Sequence, residues 1–297
     1  MTTQELQALV DQIRGGPLTF EADPAEIRAT FDGMLATFPV DEDVTFQEVT
    51  LGGVPALQSS DPGADLGRVL LYLHGGGYVA GSAAGYRTLW SRLASSAGVR
   101  GVAPEYRLAP ENPFPAAVED AVAVYRALLD EGVAPDDIAV GGDSAGGGLA
   151  VALLVAARDQ GLPMPSSVTL LSPWADLTCS GASMDGKAAA DPSLTPAGLR
   201  LRAADYLAGH AADDPLASPV GADLTGLPPM LVQVGTAEVL LDDATRLVAR
   251  AAACDVRTSL EIWPAMVHVF AMFGFALSEG REVVDQCGAF VRRHFQK

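Results

Sequence analysis

The chain has 297 residues, 49% of them in the hydrophobic set, with 37 acidic against 19 basic side chains and a net charge of −18. That length and apolar content suit one large α/β domain or a domain with an appendage. The acidic surface repels phosphate backbones and anionic membranes, which argues against a nucleic-acid or membrane partner. The start, MTTQELQALVDQIRGGPLTF, lacks the basic and apolar regions of a secretory signal, and no apolar run reaches the ~18 residues of a membrane span. Cys179, Cys254 and Cys287 are too scattered for a disulfide framework or a zinc site. The expectation is a reduced, cytoplasmic protein.

Residues 1–40 read as helix and loop before any strand. Two half-exposed strands follow, VTFQEVT (44–50) and VPALQSS (54–60), which read as a hairpin turned at Gly52 and Gly53. Apolar runs at 68–73, 99–103, 137–142, 167–172, 229–235 and 258–263 are predicted as buried strands. Helical patterns fall at 84–97, 114–131, 145–160, 238–254 and 277–295. Strands rich in Val, Ile and Leu alternating with helices predict an α/β fold, a mostly parallel sheet covered on both faces. Residues 176–225 break the alternation with a long strandless gap and a helical pattern at 196–209, and gaps of that length are usually functional. Residues 1–43 and 176–225 are therefore assigned to a helical cap, and 44–175 with 226–297 to the core beneath it.

Strand and helix patterns meet at Ser144, inside Gly142-Asp143-Ser144-Ala145-Gly146. A sharp strand-to-helix turn strains the serine backbone and crowds the positions two before and two after it, where glycine is tolerated. It also places the Ala145 N–H at a helix N-terminus, where backbone donors face an anion. A Walker A loop would need a lysine here, and a dinucleotide fingerprint opened by Gly146 and Gly148 fails because position 151 is valine. A second cluster, YLHGGGYVAGS (72–82), follows a buried strand directly. Its glycines allow backbone N–H groups to approach a substrate and hold the oxygen that turns negative in acyl transfer.

A serine nucleophile needs an adjacent base. Of the four histidines, His74 belongs to the glycine loop, His210 ends the presumed cap helix, and His294 lies in the charged tail VRRHFQK, where solvated surface is expected. His268 stands on the loop after the last strand, where the chain order serine, acid, histidine puts the base. The acid should follow the strand MLVQVG, where Glu238, Asp242 and Asp243 are available. Glu238 comes first, in the turn, and is favoured as the rigidly held group; Asp242 remains a rival. Asp243 reads as helix N-terminal acidity complementing the dipole.

Together these pieces resemble the bacterial hormone-sensitive-lipase-like esterases of the α/β-hydrolase fold. The resemblance spans about 68–272 and rests on HGGGYVAGS, VAPEYRLAPENPFPAAVEDA (102–121), GDSAGGGLA (142–150), SPWADLT (172–178) and MVHVF. It implies a carboxylic-ester hydrolase with a helical cap, acting on short to medium acyl chains without cofactor or metal. It maps the oxyanion hole onto Gly76, Gly77 and Ala145, and implies a homodimer as one arrangement the family adopts. Where many members carry aspartate in D-x-L-x-D, this chain reads EVLLD (238–242), so glutamate takes the acid position. Tyr78, Trp174, Met272 and Phe273 are candidates for lining the substrate pocket, set against plain core packing. In YRLAPENPFP (106–115) the prolines fix a loop, and Arg107 is expected to pair with Glu105 in a buried contact. Two alternatives remain: a non-catalytic small-ligand receptor on the same fold, and an amide, lactone or carbamate hydrolase with the same machinery.

Overall fold

The computed structural model describes residues 4–295, so residues 1–3 of the expected cap and 296–297 of the expected core lie outside the described residues. Helices α1 (Gln4–Gly15) and α2 (Pro24–Leu35) come first. Asp23 caps α2 by accepting the Ala25 N–H at 2.9 Å, and Pro24 opens it, a position where the missing N–H costs nothing.

Strands β1 (Thr45–Leu51) and β2 (Val54–Ser60) form the expected hairpin, in register from Thr45 opposite Ser60 to Leu51 opposite Val54. Its turn residues Gly52 and Gly53 have φ of 59° and 84°, the left-handed pair that matches the twist of the flanking strands. The sheet continues through β3 (Asp65–Leu73), β4 (Val99–Pro104), β5 (Ile138–Asp143), β6 (Ser167–Leu171), β7 (Met230–Gly235) and β8 (Thr258–Trp263). The strand order is β1-β2-β4-β3-β5-β6-β7-β8, antiparallel through β2–β4 and parallel beyond.

Between and after these strands run α3 (Arg87–Ala97), α4 (Ala116–Asp130), α5 (Ser144–Asp159), α6 (Ser183–Gly186), α7 (Pro196–Leu207), α8 (Leu241–Ala253) and α9 (Ser278–His294). Right-handed crossovers decide which face each covers. The step from β3 to β4 runs one way along the sheet, whereas β4 to β5, β5 to β6 and β7 to β8 run the other way. Accordingly α3 packs with α9 on one face, and α4 packs with α5 on the opposite one. The crossovers diverge between β3 and β5, which opens a crevice at their carboxyl ends, the switch point where α/β sheets bind ligands. The two glycine-bounded loops singled out in the sequence, after β3 and after β5, both end there.

Three local expectations are corrected. The run 258–263 is not a buried strand: β8 is the sheet edge, and its residues are exposed or half-buried. His294 is buried, and its Nδ1–H donates to the Phe290 carbonyl at 2.8 Å. It continues the inner stripe Val283, Cys287, Phe290, Val291 of α9, whose spacing outweighs the charged neighbours. Arg107 does not pair with Glu105. Its Nε donates to Asp120 and its Nη2 to Glu119, both at 3.0 Å, because the first turns of α4 supply carboxylates on the side to which the Arg107 backbone N–H also points. Glu105 instead accepts the Ala84 N–H at 3.3 Å. No helix among the described residues is long and apolar enough to cross a membrane.

Candidate active site

Ser144 opens α5 directly after β5 with φ of 50°, a left-handed conformation that costs a non-glycine residue energy and persists only where its surroundings enforce it. The surroundings are tight. A Cβ at position 142 would strike the Gly146 carbonyl, and one at 146 would strike the Leu73 and His74 carbonyls. Glycine at both positions therefore lets the chain bend so sharply that the Ser144 side chain reaches the cavity above the sheet.

His268 lies on the loop after β8, with Nε2 2.9 Å from Ser144 Oγ and Nδ1 2.8 Å from Glu238 Oε2. Glu238 is fully buried in the turn between β7 and α8. Its second oxygen, Oε1, accepts the Gly235 N–H at 2.6 Å and the Ser172 hydroxyl at 2.8 Å. Ser172 in turn accepts the Val269 N–H at 3.1 Å, so one hydroxyl holds both the carboxylate and the loop that carries the imidazole. Ser172 opens SPWADLT and is not among the residues expected from sequence; its place just past the β6 carboxyl end is the signal that marks it.

The rival carboxylates point elsewhere. Asp242 accepts the Ser183 N–H at 2.9 Å. Asp243 stands in the first turn of α8, yet the reading of it as dipole-complementing acidity is corrected: it is fully buried and its Oδ2 accepts the Ala175 and Asp176 N–H groups, each at 2.9 Å. Burial pushes its carboxyl up to about 8. A carboxylate missed in the sequence, Asp191, holds the Val239 N–H beside Glu238 at 3.0 Å and the Ser193 and Leu194 amides with its other oxygen.

Burial alone would depress the His268 imidazole, but the hydrogen bond and negative charge of Glu238 outweigh it, and the ring titrates above its ordinary value of 6.5. Glu238 is raised above the usual glutamate range by burial, against the opposing pull of His268 and the Gly235 and Ser172 donors. His74, enclosed in the glycine loop, goes the other way: burial pulls it down to about 4, so it stays neutral.

Gly76 and Gly77, with φ of 119° and 63°, line the same cavity as Ser144 and His268. Ala145 follows the serine in the first turn of α5, where amides have no intrahelical acceptor. The cavity measures about 770 Å³ and is walled by α1 through Leu9 and Ile13, by α2 through Met34, and by Leu199 of α7. Met272 and Phe273 also line it. Tyr78 and Trp174 do not: Tyr78 stacks on Tyr206 with ring centroids 3.8 Å apart, and Trp174 is buried 6.1 Å from Tyr78. Apart from His268, the cavity lining carries no titratable cation or carboxylate among the described residues. No group of three or more His, Cys, Asp or Glu side chains among the described residues could hold a metal ion.

A mostly parallel sheet with a strained serine at its switch point and a histidine on the last strand's loop defines an α/β-hydrolase. The chain belongs to the alpha/beta hydrolase fold family, whose profile matches residues 70–272. It is 50% identical over 231 residues to an acetyl-hydrolase of Streptomyces hygroscopicus, covering 78% of this chain and 77% of that protein. Two crystal structures align along nearly the whole length. One is an esterase from the bacterial hormone-sensitive lipase family, with TM-score 0.96, 45% identity and 99% of both chains covered. The other is EstE5 soaked by p-nitrophenyl butyrate, with TM-score 0.95, 43% identity and 100% of both chains covered. The chain is thus an esterase on the α/β-hydrolase fold, and the non-catalytic receptor alternative falls away.

Proposed function

We propose that this esterase hydrolyses short- to medium-chain carboxylic esters through a Ser144-His268-Glu238 triad and an acyl-enzyme intermediate. The observation that carries the reading is the unbroken hydrogen-bond chain from Glu238 Oε2 through both ring nitrogens of His268 to Ser144 Oγ, at 2.8 Å and 2.9 Å, opening on an apolar cavity.

Glu238 accepts the Nδ1–H, which fixes the tautomer that leaves Nε2 free to take the Ser144 proton. As Oγ bonds to the ester carbonyl carbon, the carbonyl oxygen becomes negative and is held by the N–H groups of Gly76, Gly77 and Ala145. Each such donor is worth about 10²–10³ in rate in comparable sites. His268 then gives its proton to the departing alkoxide, leaving the acyl group on Ser144. Water repeats the sequence: His268 takes its proton, hydroxide adds to the acyl carbon, and Ser144 leaves as the alcohol with the carboxylic acid released.

The walls supplied by α1, α2 and the 176–225 segment act as the cap that shields this chemistry from solvent and receives the acyl chain. A cavity of about 770 Å³ falls within the range of small-molecule sites and suits an uncharged, mostly apolar ester. The acetyl group in one relative's name and the butyrate in the other's soak both fit this substrate class.

Ser144→Ala is the direct test. It should abolish p-nitrophenyl butyrate hydrolysis while circular dichroism stays unchanged, and an organophosphonate should label the wild-type chain on the Ser144 peptide. Turnover above about 1% in the folded variant, or a label on another residue, would refute the assignment.

A further inference from the structure

Two buried titratable groups beside the site, His74 and Asp143, play no part in the proton relay. Both are wholly shielded from solvent, and both touch the loop that supplies Gly76 and Gly77. Their bonds fall on consecutive peptide planes. In the plane joining residues 74 and 75, the Gly75 N–H donates to Asp143 Oδ1 at 3.0 Å, and the His74 carbonyl accepts the Tyr106 hydroxyl at 2.7 Å. In the next plane, the Gly75 carbonyl accepts the His74 Nδ1–H at 2.8 Å. In the third, the Gly76 carbonyl accepts the Val79 and Ala80 N–H groups at 3.2 Å and 3.0 Å.

A trans peptide is planar, with its N–H directed opposite to its C=O. Pinning the Gly75 carbonyl therefore aims the Gly76 N–H, and pinning the Gly76 carbonyl aims the Gly77 N–H. The second is held by backbone alone. The first depends on one side chain, and its ring is itself immobilised, stacked 4.3 Å from Tyr106 and 5.6 Å from Tyr86. The fit leaves no slack, since a Cβ at Gly81 would lie 2.8 Å from His74 Nδ1.

We propose that His74 is a positioning residue: its Nδ1–H holds the Gly75 carbonyl so that the Gly76 amide faces the oxygen that turns negative in the transition state. The proposal rests on the oxyanion role given above to Gly76. The Asp143 carboxylate fixes the preceding plane from the serine elbow, so loop and elbow are set to one another. A glycine-rich loop without these anchors would have to be ordered at each turnover. Preorganised donors avoid that reorganisation at the moment of reaction.

The test compares two variants. His74→Phe keeps a flat ring between the tyrosines and removes the donor; His74→Asn loses the ring but keeps an N–H at the position of Nδ1. One misdirected donor, or a displacement of about 1 Å, costs on the order of 10² in rate. His74→Phe should therefore lower kcat on p-nitrophenyl butyrate by about 10- to 100-fold with KM within about twofold. It should weaken by a similar factor the binding of a butyl trifluoromethyl ketone, whose adduct with the enzyme carries an oxyanion. His74→Asn should recover kcat to within about fivefold of wild type. A loss below tenfold in folded His74→Phe, or an equal loss in His74→Asn, overturns the proposal. Should His74→Phe not fold, His74→Asn decides alone: kcat per folded molecule within tenfold of wild type supports the role, and a greater loss overturns it. Wild-type enzyme that binds the trifluoromethyl ketone no better than the matching methyl ketone would refute the oxyanion reading itself.

Discussion

Replacing Glu238 by glutamine changes one oxygen for an amide nitrogen, and the surroundings dictate where that nitrogen goes. Oε1 receives the Gly235 N–H at 2.6 Å, a donor that cannot reverse, together with the Ser172 hydroxyl. The glutamine carbonyl must occupy this position, which turns its NH₂ toward His268 Nδ1, now 2.8 Å from Oε2. Facing a donor, Nδ1 must become the acceptor, and the ring proton moves to Nε2, where it blocks removal of the Ser144 proton. The analogous Asp→Asn exchange in a Ser-His-Asp triad costs about 10⁴ in kcat by the same tautomer reversal. Glu238→Gln should therefore lower kcat/KM on p-nitrophenyl butyrate by about 10³–10⁴, or roughly 4–5.5 kcal/mol of transition-state stabilisation. The pH profile gives a second reading. His268 acts as base only when neutral, so wild-type activity should fall as pH drops through a value above 6.5, where Glu238 has raised the ring. With the Glu238 carboxylate gone, burial is opposed only by the weaker pull of Asp191 and Asp143, and the acid limb of the residual activity should move to lower pH. Stopped-time assays from pH 5 to 9 measure both. Retention of more than about a tenth of kcat/KM, or an equal loss in Asp242→Asn, would refute the reasoning.

Two further outcomes follow from other parts of the structure. Gly33 lines the cavity on α2, and a Cβ there meets nothing within 4 Å, so the helix carries a glycine at a cost of about 1 kcal/mol relative to alanine. Gly33→Ala should raise stability by about that amount in urea unfolding, whereas Gly33→Leu should cut octanoate turnover by about tenfold and leave acetate within twofold; an unchanged chain-length profile would count against α2 as a wall of the acyl site. Asp243 is held up to about 8 by burial against an ordinary 3.8 in the unfolded chain, so the folded state binds the extra proton and stability declines as pH rises between those values. Asp243→Asn should remove this decline, flattening the difference between unfolding free energies at pH 6 and pH 9, and an unaltered slope would place the decline elsewhere.

The alternation of apolar strands and helices was legible because it depends on local periods of two and 3.6 residues, which any segment displays by itself. Gly142 and Gly146 around Ser144 were legible for a related reason: a bend that tight excludes side chains wherever it occurs. His268 could be reached by elimination, since the chain has four histidines and only this one stands on the loop directly after the last strand. Local pattern could not show which strand lies at an edge, which is why β8 was misread as buried. Among three carboxylates within six residues it favoured Glu238 by its place in the turn but left Asp242 as a rival. Glu238 meets the imidazole because Gly235, Ser172 and Val269, brought together from three separate strand ends, leave it one orientation. Helices α1 and α2 became cavity walls, and Asp143 and His74 came to grip the same loop, through packing across the sheet's switch point. Sequence determined which chemical groups were present and how each segment bends; the tertiary structure decided which of them meet, because hydrogen-bond geometry is satisfied between segments distant in the chain.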